Sequence, residues 1–331
     1  MKVLVTGGAG YIGSHTLINL VENGFEVICV DSLVRSSVKQ LKGVEKVLNK
    51  KINFYKVNLC DKAALEVVFK AEKIDAIIHF AAFKAVNESV NKPTAYFYNN
   101  ILSLNNILDC ITKFKVKQFI FSSSCSVYGN ALKMPVSEST GFQKAQSPYA
   151  LTKQIGEQMI EAFKATSTCS CIMLRYFNPA GAHPSNIIGE NAGKTPANLL
   201  PVICAFAKGQ IKTLPVYGTT YNTKDGTCLR DYFHVCDLAN AHTKALQFAV
   251  NNKSAFEVFN VGSGSGATVL EILKAFETEN KVKLKYTLTN KREGDVEKIY
   301  AKTNKANKLL NWQPQYTIAD IVKTAWAWAN K

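Results

Sequence analysis

Three glycines, Gly7, Gly10 and Gly13, fall directly after a short apolar run at residues 2–6 and open a stretch of helical periodicity. No other feature limits the possible folds of this chain so strongly. Glycines at that spacing permit a tight strand-to-helix turn and let the helix amino terminus approach a pyrophosphate through its N–H groups. The spacing is G-x-x-G-x-x-G rather than G-x-G-x-x-G, and a glycine triplet alone is often a mere turn. Its context supplies the weight. The next apolar run, 26–31, ends at Asp31, where a carboxylate can accept hydrogen bonds from both hydroxyls of an adenosine ribose and would repel a 2′-phosphate. Loop and carboxylate together predict NAD rather than NADP as cofactor. Arg35 works against that choice, but Asp31 outweighs it.

Short apolar runs then alternate with amphipathic stretches, the pattern of a parallel sheet with crossover helices. Strands are expected at 2–6, 26–31, 52–57, 75–80, 117–122 and 171–175, and helices near 11–23, 61–72, 94–113 and 148–165. After residue 176 turn-rich segments separate shorter helical patterns near 197–208, 235–250 and 268–279. A late strand at 257–261 returns to the sheet, and the last segment ends in a helix carrying Trp326 and Trp328. The expected fold class is α/β: a doubly wound parallel sheet with a second, smaller substrate-binding domain. Residues 1–176 and 231–262 are assigned to the cofactor domain, and residues 177–230 and 263–331 to the smaller one. Ligands belong in the crevice beyond the carboxyl ends of the strands.

Composition excludes several classes. The longest apolar runs fall far short of a membrane span, and the glycine loop begins so early that no room is left for a signal peptide. Nine cysteines are scattered without a CxxC pair or zinc-like spacing, which predicts free thiols in a reducing cytoplasm and no metal site. Cys169 and Cys171 share one face of a strand and are read as packing. The net charge of +15 comes from dispersed lysines without a block of like charge, so it is assigned to solvated helix faces and to attraction of anionic ligands, not to nucleic acid.

The most informative segment for chemistry is Tyr149-Ala150-Leu151-Thr152-Lys153, behind a helix cap at Ser147 and a proline at position 148. Four residues apart, Tyr149 and Lys153 project from one helix face. A free phenol is ionised in only ~0.1% of molecules at neutral pH; an adjacent ammonium and a positive nicotinamide ring are expected to favour the phenolate. The result is a base that removes a hydroxyl proton while hydride leaves the same carbon. Y-x-x-x-K alone also occurs as a surface pair. Here Ser122-Ser123-Ser124 precedes it at the interval expected of a third member, and Ser124 is placed to position the reacting oxygen.

The runs GAGYIG (8–13), FSSSCSVYG (121–129), SPYALTK (147–153), LRYFNPAGAHP (174–184), DGTCLRDYFHVCDLA (225–239) and REGD (292–295) together resemble the UDP-galactose (UDP-glucose) 4-epimerases, extended members of the short-chain dehydrogenase/reductase class with a Rossmann domain. The resemblance runs nearly the full length, motifs in the family's order. It implies catalytic roles for Ser124, Tyr149 and Lys153. It implies NAD contacts from Gly7, Gly10, Tyr11, Ile12, Gly13, Asp31, Asn58, Leu59, Phe80, Ala81, Lys84, Asn99 and Tyr176, besides Tyr149 and Lys153. Asn58 departs from the acidic residue usual in the family, and is expected to accept from the adenine amino group less strongly.

For the UDP-sugar, the resemblance implies Phe177 and Asn178 beside the hexose and Asn198 and Leu199 in a loop holding the diphosphate. Tyr217 matches an aromatic next to uracil, Arg230 and Arg292 the pair gripping the diphosphate, and Asp295 a ribose contact. It also implies a homodimer, and transient oxidation at C4 to a 4-keto sugar with NAD retained throughout. A 4,6-dehydratase would carry acids where Ser124-Cys125-Ser126 stands. Ile299, where some members have a bulkier aromatic, leaves open an enzyme acting on N-acetylated UDP-hexoses as well. A non-catalytic NAD-sensing protein on the same fold is disfavoured by the intact Ser–Tyr–Lys set.

Overall fold

The computed structural model describes residues 1–191, 196–291 and 296–331. In chain order the first half runs β1 (Lys2–Thr6), α1 (Tyr11–Glu22), β2 (Glu26–Asp31), α2 (Val38–Leu48), β3 (Asn53–Lys56), α3 (Lys62–Ala71), β4 (Ala76–His79), α4 (Val86–Asn91), α5 (Pro93–Phe114), β5 (Gln118–Ser124), α6 (Pro148–Lys164) and β6 (Ser170–Tyr176). The second half continues with β7 (Asn178–Ala180), α7 (Leu199–Ala207), β8 (Pro215–Tyr217), β9 (Leu229–Arg230), β10 (Tyr232–His234), α8 (Val235–Asn251), β11 (Phe256–Val261), β12 (Ala267–Thr268), α9 (Val269–Asn280), β13 (Thr287–Thr289), β14 (Lys298–Ile299), α10 (Asn304–Leu310) and α11 (Ile318–Ala329).

Seven strands form one sheet in the order β11-β6-β5-β4-β1-β2-β3, every neighbouring pair parallel. The chain winds outward from β1 in one direction and then from β4 in the other. The reversal falls between β1 and β4, and there the crossover helices leave a crevice at the carboxyl ends of the strands. The late strand at 256–261 joins the sheet as expected, in register with β6 from Phe256↔Cys171 to Val261↔Tyr176.

The sheet buries apolar side chains on both faces, as parallel strands must. On one face Leu17, Leu20, Val44, Leu238 and Leu246 of α1, α2 and α8 pack under it. On the other, Val68, Leu104, Ile107 and Ile160 of α3, α5 and α6 do so. Cys169 and Cys171 are buried in that second layer, and all nine cysteines are free. A third cluster gathers Leu200, Ile203, Ile272, Phe276, Ile321 and Val322 from α7, α9 and α11. Among the described residues no helix is long and apolar enough to cross a membrane.

Three helices go beyond the sequence reading: α2, α4 and α10. The first is instructive. Ser37 caps α2, accepting from the Lys39 N–H, yet Gly43 in its middle weakens the helical signal. That glycine serves packing: a Cβ there would lie 2.6 Å from Ile188 Cγ2. α4 and α10, of six and seven residues, are too short for periodicity to reveal.

Candidate active site

Ser147 caps α6 by accepting from the Ala150 N–H at 3.1 Å, and Pro148 occupies the first turn. The helix is thereby started so that Tyr149 and Lys153, 8% and 5% exposed, face the end of β5. Lys153 Nζ donates to the Ser122 carbonyl at 2.7 Å, and stands 4.8 Å from the Phe121 ring and 6.0 Å from the Tyr149 ring. Ser124 hydrogen-bonds Tyr149, and its Oγ also accepts from the Ser126 N–H at 3.2 Å. The three residues singled out from sequence meet at one point.

Burial acts on both ionisable members of the set. Burial pushes the Tyr149 phenol up to about 12, against the pull of the Ser124 hydrogen bond. Burial also draws Lys153 down to about 8, with Glu157 opposing. The ammonium expected to acidify the phenol is engaged by a backbone carbonyl, and desolvation of the phenolate is the larger effect.

Beneath this triad lies a buried ion pair that the sequence reading missed. Arg175 on β6 grips Glu157 of α6 through two nitrogens, Nε at 3.0 Å and Nη2 at 2.6 Å. Both side chains are under a tenth exposed. Ser123 donates to the same carboxylate, Arg175 donates to Tyr128 Oη at 3.1 Å, and Tyr128 donates to Asn260 of β11 at 2.6 Å. The signals were legible: a glutamate one helical turn after Lys153, and an arginine inside an apolar strand. His242 was missed too. Its Nδ1 faces the Leu238 carbonyl at 2.9 Å and must donate, so Nε2 accepts from Ser122 Oγ at 3.0 Å. Burial holds His242 at about 4, a neutral ring 4.5 Å from that of Phe80.

The residues expected to hold a dinucleotide line the sheet's switch point. Gly10 precedes α1 without a side-chain cap, and the first turn carries no acid, so the positive helix end is available to an anion. Gly7 has φ +70°, and a Cβ there would lie 2.8 Å from the Ala81 N; a Cβ on Gly13 would lie 2.3 Å from the Gly7 O. Only glycine keeps the loop this low, with Tyr11 and Ile12 opening the helix above it. Tyr11 donates to the Gly181 carbonyl at 2.6 Å.

Asp31 Oδ1 accepts from Leu33 N–H at 2.8 Å and Ser36 at 2.7 Å, while Oδ2 accepts from Ala9 N–H at 3.1 Å. That orients the carboxylate and leaves Oδ2 a lone pair for a ribose. Arg35 is turned to Glu88 at 2.5 Å, away from this duty. Asn58 is exposed and accepts from Cys60 N–H at 3.0 Å; Leu59 is buried and takes a hydrogen bond from Asn106. These residues suit a dinucleotide with an unphosphorylated ribose.

Phe80 and Ala81 follow β4 directly, and Asn100 pins the loop by bonding Phe83 N and O and Thr152. Asn99 donates to Asn100 at 2.9 Å. Tyr176 ends β6 opposite Ser124 in the register, its phenol pushed up by burial. Lys84 pairs with Glu190 at 3.4 Å, and Glu190 also accepts from Asn198 at 2.6 Å. One carboxylate thus links a residue expected at the dinucleotide to one expected at the sugar nucleotide.

Phe177 is buried, and Asn178 in β7 donates its N–H to the Asp231 carbonyl at 2.9 Å. Asn198 and Leu199 start α7, and Tyr217 ends β8, half-buried. Burial pushes the Cys125 thiol up to about 12, with the Arg230 guanidinium opposing; Arg230 donates to the Leu229 carbonyl at 3.0 Å. Ile299 is its register partner. Arg292 and Asp295 lie outside the described residues.

A doubly wound sheet with a glycine loop at its switch point and Ser124, Tyr149 and Lys153 converging at β5 defines a short-chain dehydrogenase/reductase. The chain matches the family model described as GDP-mannose 4,6 dehydratase over residues 4–325. It is 43% identical to a UDP-glucose 4-epimerase of Schizosaccharomyces pombe, covering 99% of this chain and 94% of that one. The UDP-glucose 4-epimerase of Stenotrophomonas maltophila, solved with NAD and formylated UDP-arabinopyranose, superposes with a TM-score of 0.97 at 37% identity, over 100% and 98% of the two chains. That of Bifidobacterium longum, solved with NAD+ and UDP, gives 0.95 at 40% identity, with coverage of 100% and 98%. The chain belongs to the UDP-glucose 4-epimerase family.

Proposed function

We propose that this chain interconverts UDP-galactose and UDP-glucose, with NAD held through the catalytic cycle. The observation that carries the reading is the convergence of Ser124, Tyr149 and Lys153 at the carboxyl edge of the sheet. NAD, when bound, supplies a hydride acceptor and a positive ring. That positive charge is what a phenol at about 12 needs in order to act as a base near neutrality. The chain's own contributions follow from position. Ser124 orients the 4-hydroxyl oxygen and Tyr149 takes and returns its proton. Lys153 fixes the Ser122 backbone beneath them. Arg230, joined by Arg292, grips the diphosphate with planar forks of donors, with Tyr217 by the uracil and Asp295 by its ribose. Phe177, Asn178, Asn198 and Leu199 are assigned to the sugar nucleotide beside them.

Glycine loop, Asp31, Asn58, Leu59, Phe80, Ala81, Lys84, Asn99 and Tyr176 are assigned to NAD. The division into a cofactor part (1–176 and 231–262) and a sugar-nucleotide part (177–230 and 263–331) is supported by the separate third core around α7, α9 and α11, but not at its edges, since Phe177, Ile188, Ile299, Ala306, Leu310 and Trp312 pack in the sheet's core. A homodimer is inferred through the face carrying Val90, Tyr98 and Leu151, which are 59%, 64% and 38% exposed. Dehydration is disfavoured because Cys125 and Ser126 stand where that elimination needs acids.

The test is incubation with UDP-galactose and with UDP-N-acetylglucosamine, separately and without added NAD, followed by product identification. UDP-glucose from the first supports the proposal; turnover in the second extends it to N-acetylated sugars. A 4-keto-6-deoxy product, or no change in configuration, would overturn it.

A further inference from the structure

The segment from Gly181 to Glu190 carries none of the reacting groups, yet several elements fasten it. It folds back on itself: Ala182 pairs with Gly189 in an antiparallel bridge, and the His183 N–H donates to the Ile188 carbonyl at 3.0 Å. Asn186, at φ +57°, turns the chain, and its N–H donates to the His183 carbonyl at 2.8 Å. A hairpin this short is not stable by itself in water.

Side chains from α2 and α11 hold it. Gln40 Nε2 of α2 donates to the Gly189 carbonyl and to Ser14 Oγ of α1, both at 3.0 Å. Thr324 Oγ1 of α11 accepts from the Ala182 N–H at 3.2 Å, and Trp328 Nε1 donates to the Glu190 carbonyl at 3.1 Å. The Trp328 ring lies so close over Gly189 that a Cβ there would stand 2.5 Å from it.

The base of the hairpin reaches both banks of the cofactor crevice. Gly181 accepts from Tyr11 Oη at 2.6 Å, and Glu190 pairs with Lys84 at 3.4 Å. Tyr11 follows β1 and Lys84 follows β4. Between those two strands the sheet reverses its order, which is where a dinucleotide lies. Gly181 and Glu190 flank the paired residues, so the two links together make a bridge from one bank to the other.

Resting on the retention of NAD assigned above, we propose that this hairpin is the clasp responsible for it. The hairpin must swing off the crevice before the dinucleotide can leave, and Gln40 and Trp328 hold it shut. A bond lost at either point raises the population of the open form, and release quickens with it.

The experiment follows isotope-labelled NAD leaving the loaded protein into excess unlabelled NAD, beside hydrogen exchange read segment by segment. Trp328→Phe keeps a ring over Gly189 and loses the donor; Gln40→Met keeps the side chain's bulk and loses the other donor. Each should release NAD about 3–10-fold faster, the worth of a neutral hydrogen bond. Amides of residues 182–189 should exchange faster by a similar factor, while those of β1 and β4 stay unchanged. Release at the wild-type rate in both variants would overturn the proposal. So would faster release with equal loosening of β1 and β4, since the whole sheet would then be opening rather than the hairpin. A wild-type protein that takes up no NAD would overturn the cofactor assignment itself, and the clasp with it.

Discussion

The Lys153 ammonium lies 2.7 Å from the Ser122 carbonyl oxygen and 6.0 Å from the centre of the Tyr149 ring. The lysine is therefore first a brace between α6 and β5, and only second a neighbour of the phenol. Tyr149→Phe removes the proton acceptor and leaves that brace intact. Its kcat should fall by about 10²–10⁴, with KM for UDP-galactose within a few-fold and NAD still bound. Lys153→Met should also lose activity and, unlike Tyr149→Phe, lower thermal stability, because the buried Ser122 carbonyl loses its donor. Steady-state kinetics beside thermal melts separate the two.

Glu157→Gln tests the buried pair. Arg175 keeps its charge in a site under a tenth exposed, with a neutral amide in place of a carboxylate. Breaking such a pair from one side costs about 3–5 kcal/mol. Denaturant unfolding should show most of that loss. The double variant Glu157→Met with Arg175→Leu should recover a good part, since no lone charge is left buried. A double variant less stable than Glu157→Gln would show that the charges are needed for folding itself.

Glu190→Ala unlinks Lys84 from Asn198. Glu190 is 15% exposed on its side chain and Lys84 59%, so the fold should be little affected. The expected effect is on binding: KM for UDP-galactose up by about 3–10-fold and faster release of NAD, with kcat within about twofold. Fluorescence of retained NAD during dilution measures the second quantity. An unchanged KM and release rate would make the contact ornamental.

Acid stability follows from the histidines. Burial holds His15 and His79 at about 3 and His234 and His242 at about 4, and lowers His183 as well. Each folded value lies below the ordinary 6.5, so between the two the unfolded chain binds more protons. Their contribution to stability is complete above about pH 6.5 and is lost as pH falls toward 4 and then 3. Each can contribute a slope of up to about 1.4 kcal/mol per pH unit. Asp237, raised to about 6 by burial, acts in the opposite sense between about 4 and 6, as does Asp231, also raised by burial; two carboxyls do not offset four buried imidazoles. Urea midpoints measured from pH 7.5 to 4.5 should fall steeply; a flat profile would contradict these burials.

The sheet could be read from the chain because a parallel strand buried on both faces is written as an uninterrupted apolar run. The glycine loop and the Ser124–Tyr149–Lys153 set were legible for a related reason: each depends on spacing within one or two neighbouring elements. What stayed hidden depends on long-range pairing. Glu157 and Arg175 stand at telling positions in their own elements, but their pairing emerges only when α6 packs against β6, and Glu190 gains meaning only when the loops at 84 and 198 meet over it.

β11 reaches β6 only after about eighty intervening residues, Tyr176 to Phe256, have been added. At a synthesis rate of ~5–20 residues per second, a nascent chain spends roughly 4–16 s with that edge of β6 bare. Tyr128 waits longer still for Asn260, 132 residues further on. During translation that edge of the seven-stranded sheet is thus closed late. An emerging polypeptide that already carries every reactive side chain must be shielded from edge-to-edge pairing before it can become an enzyme.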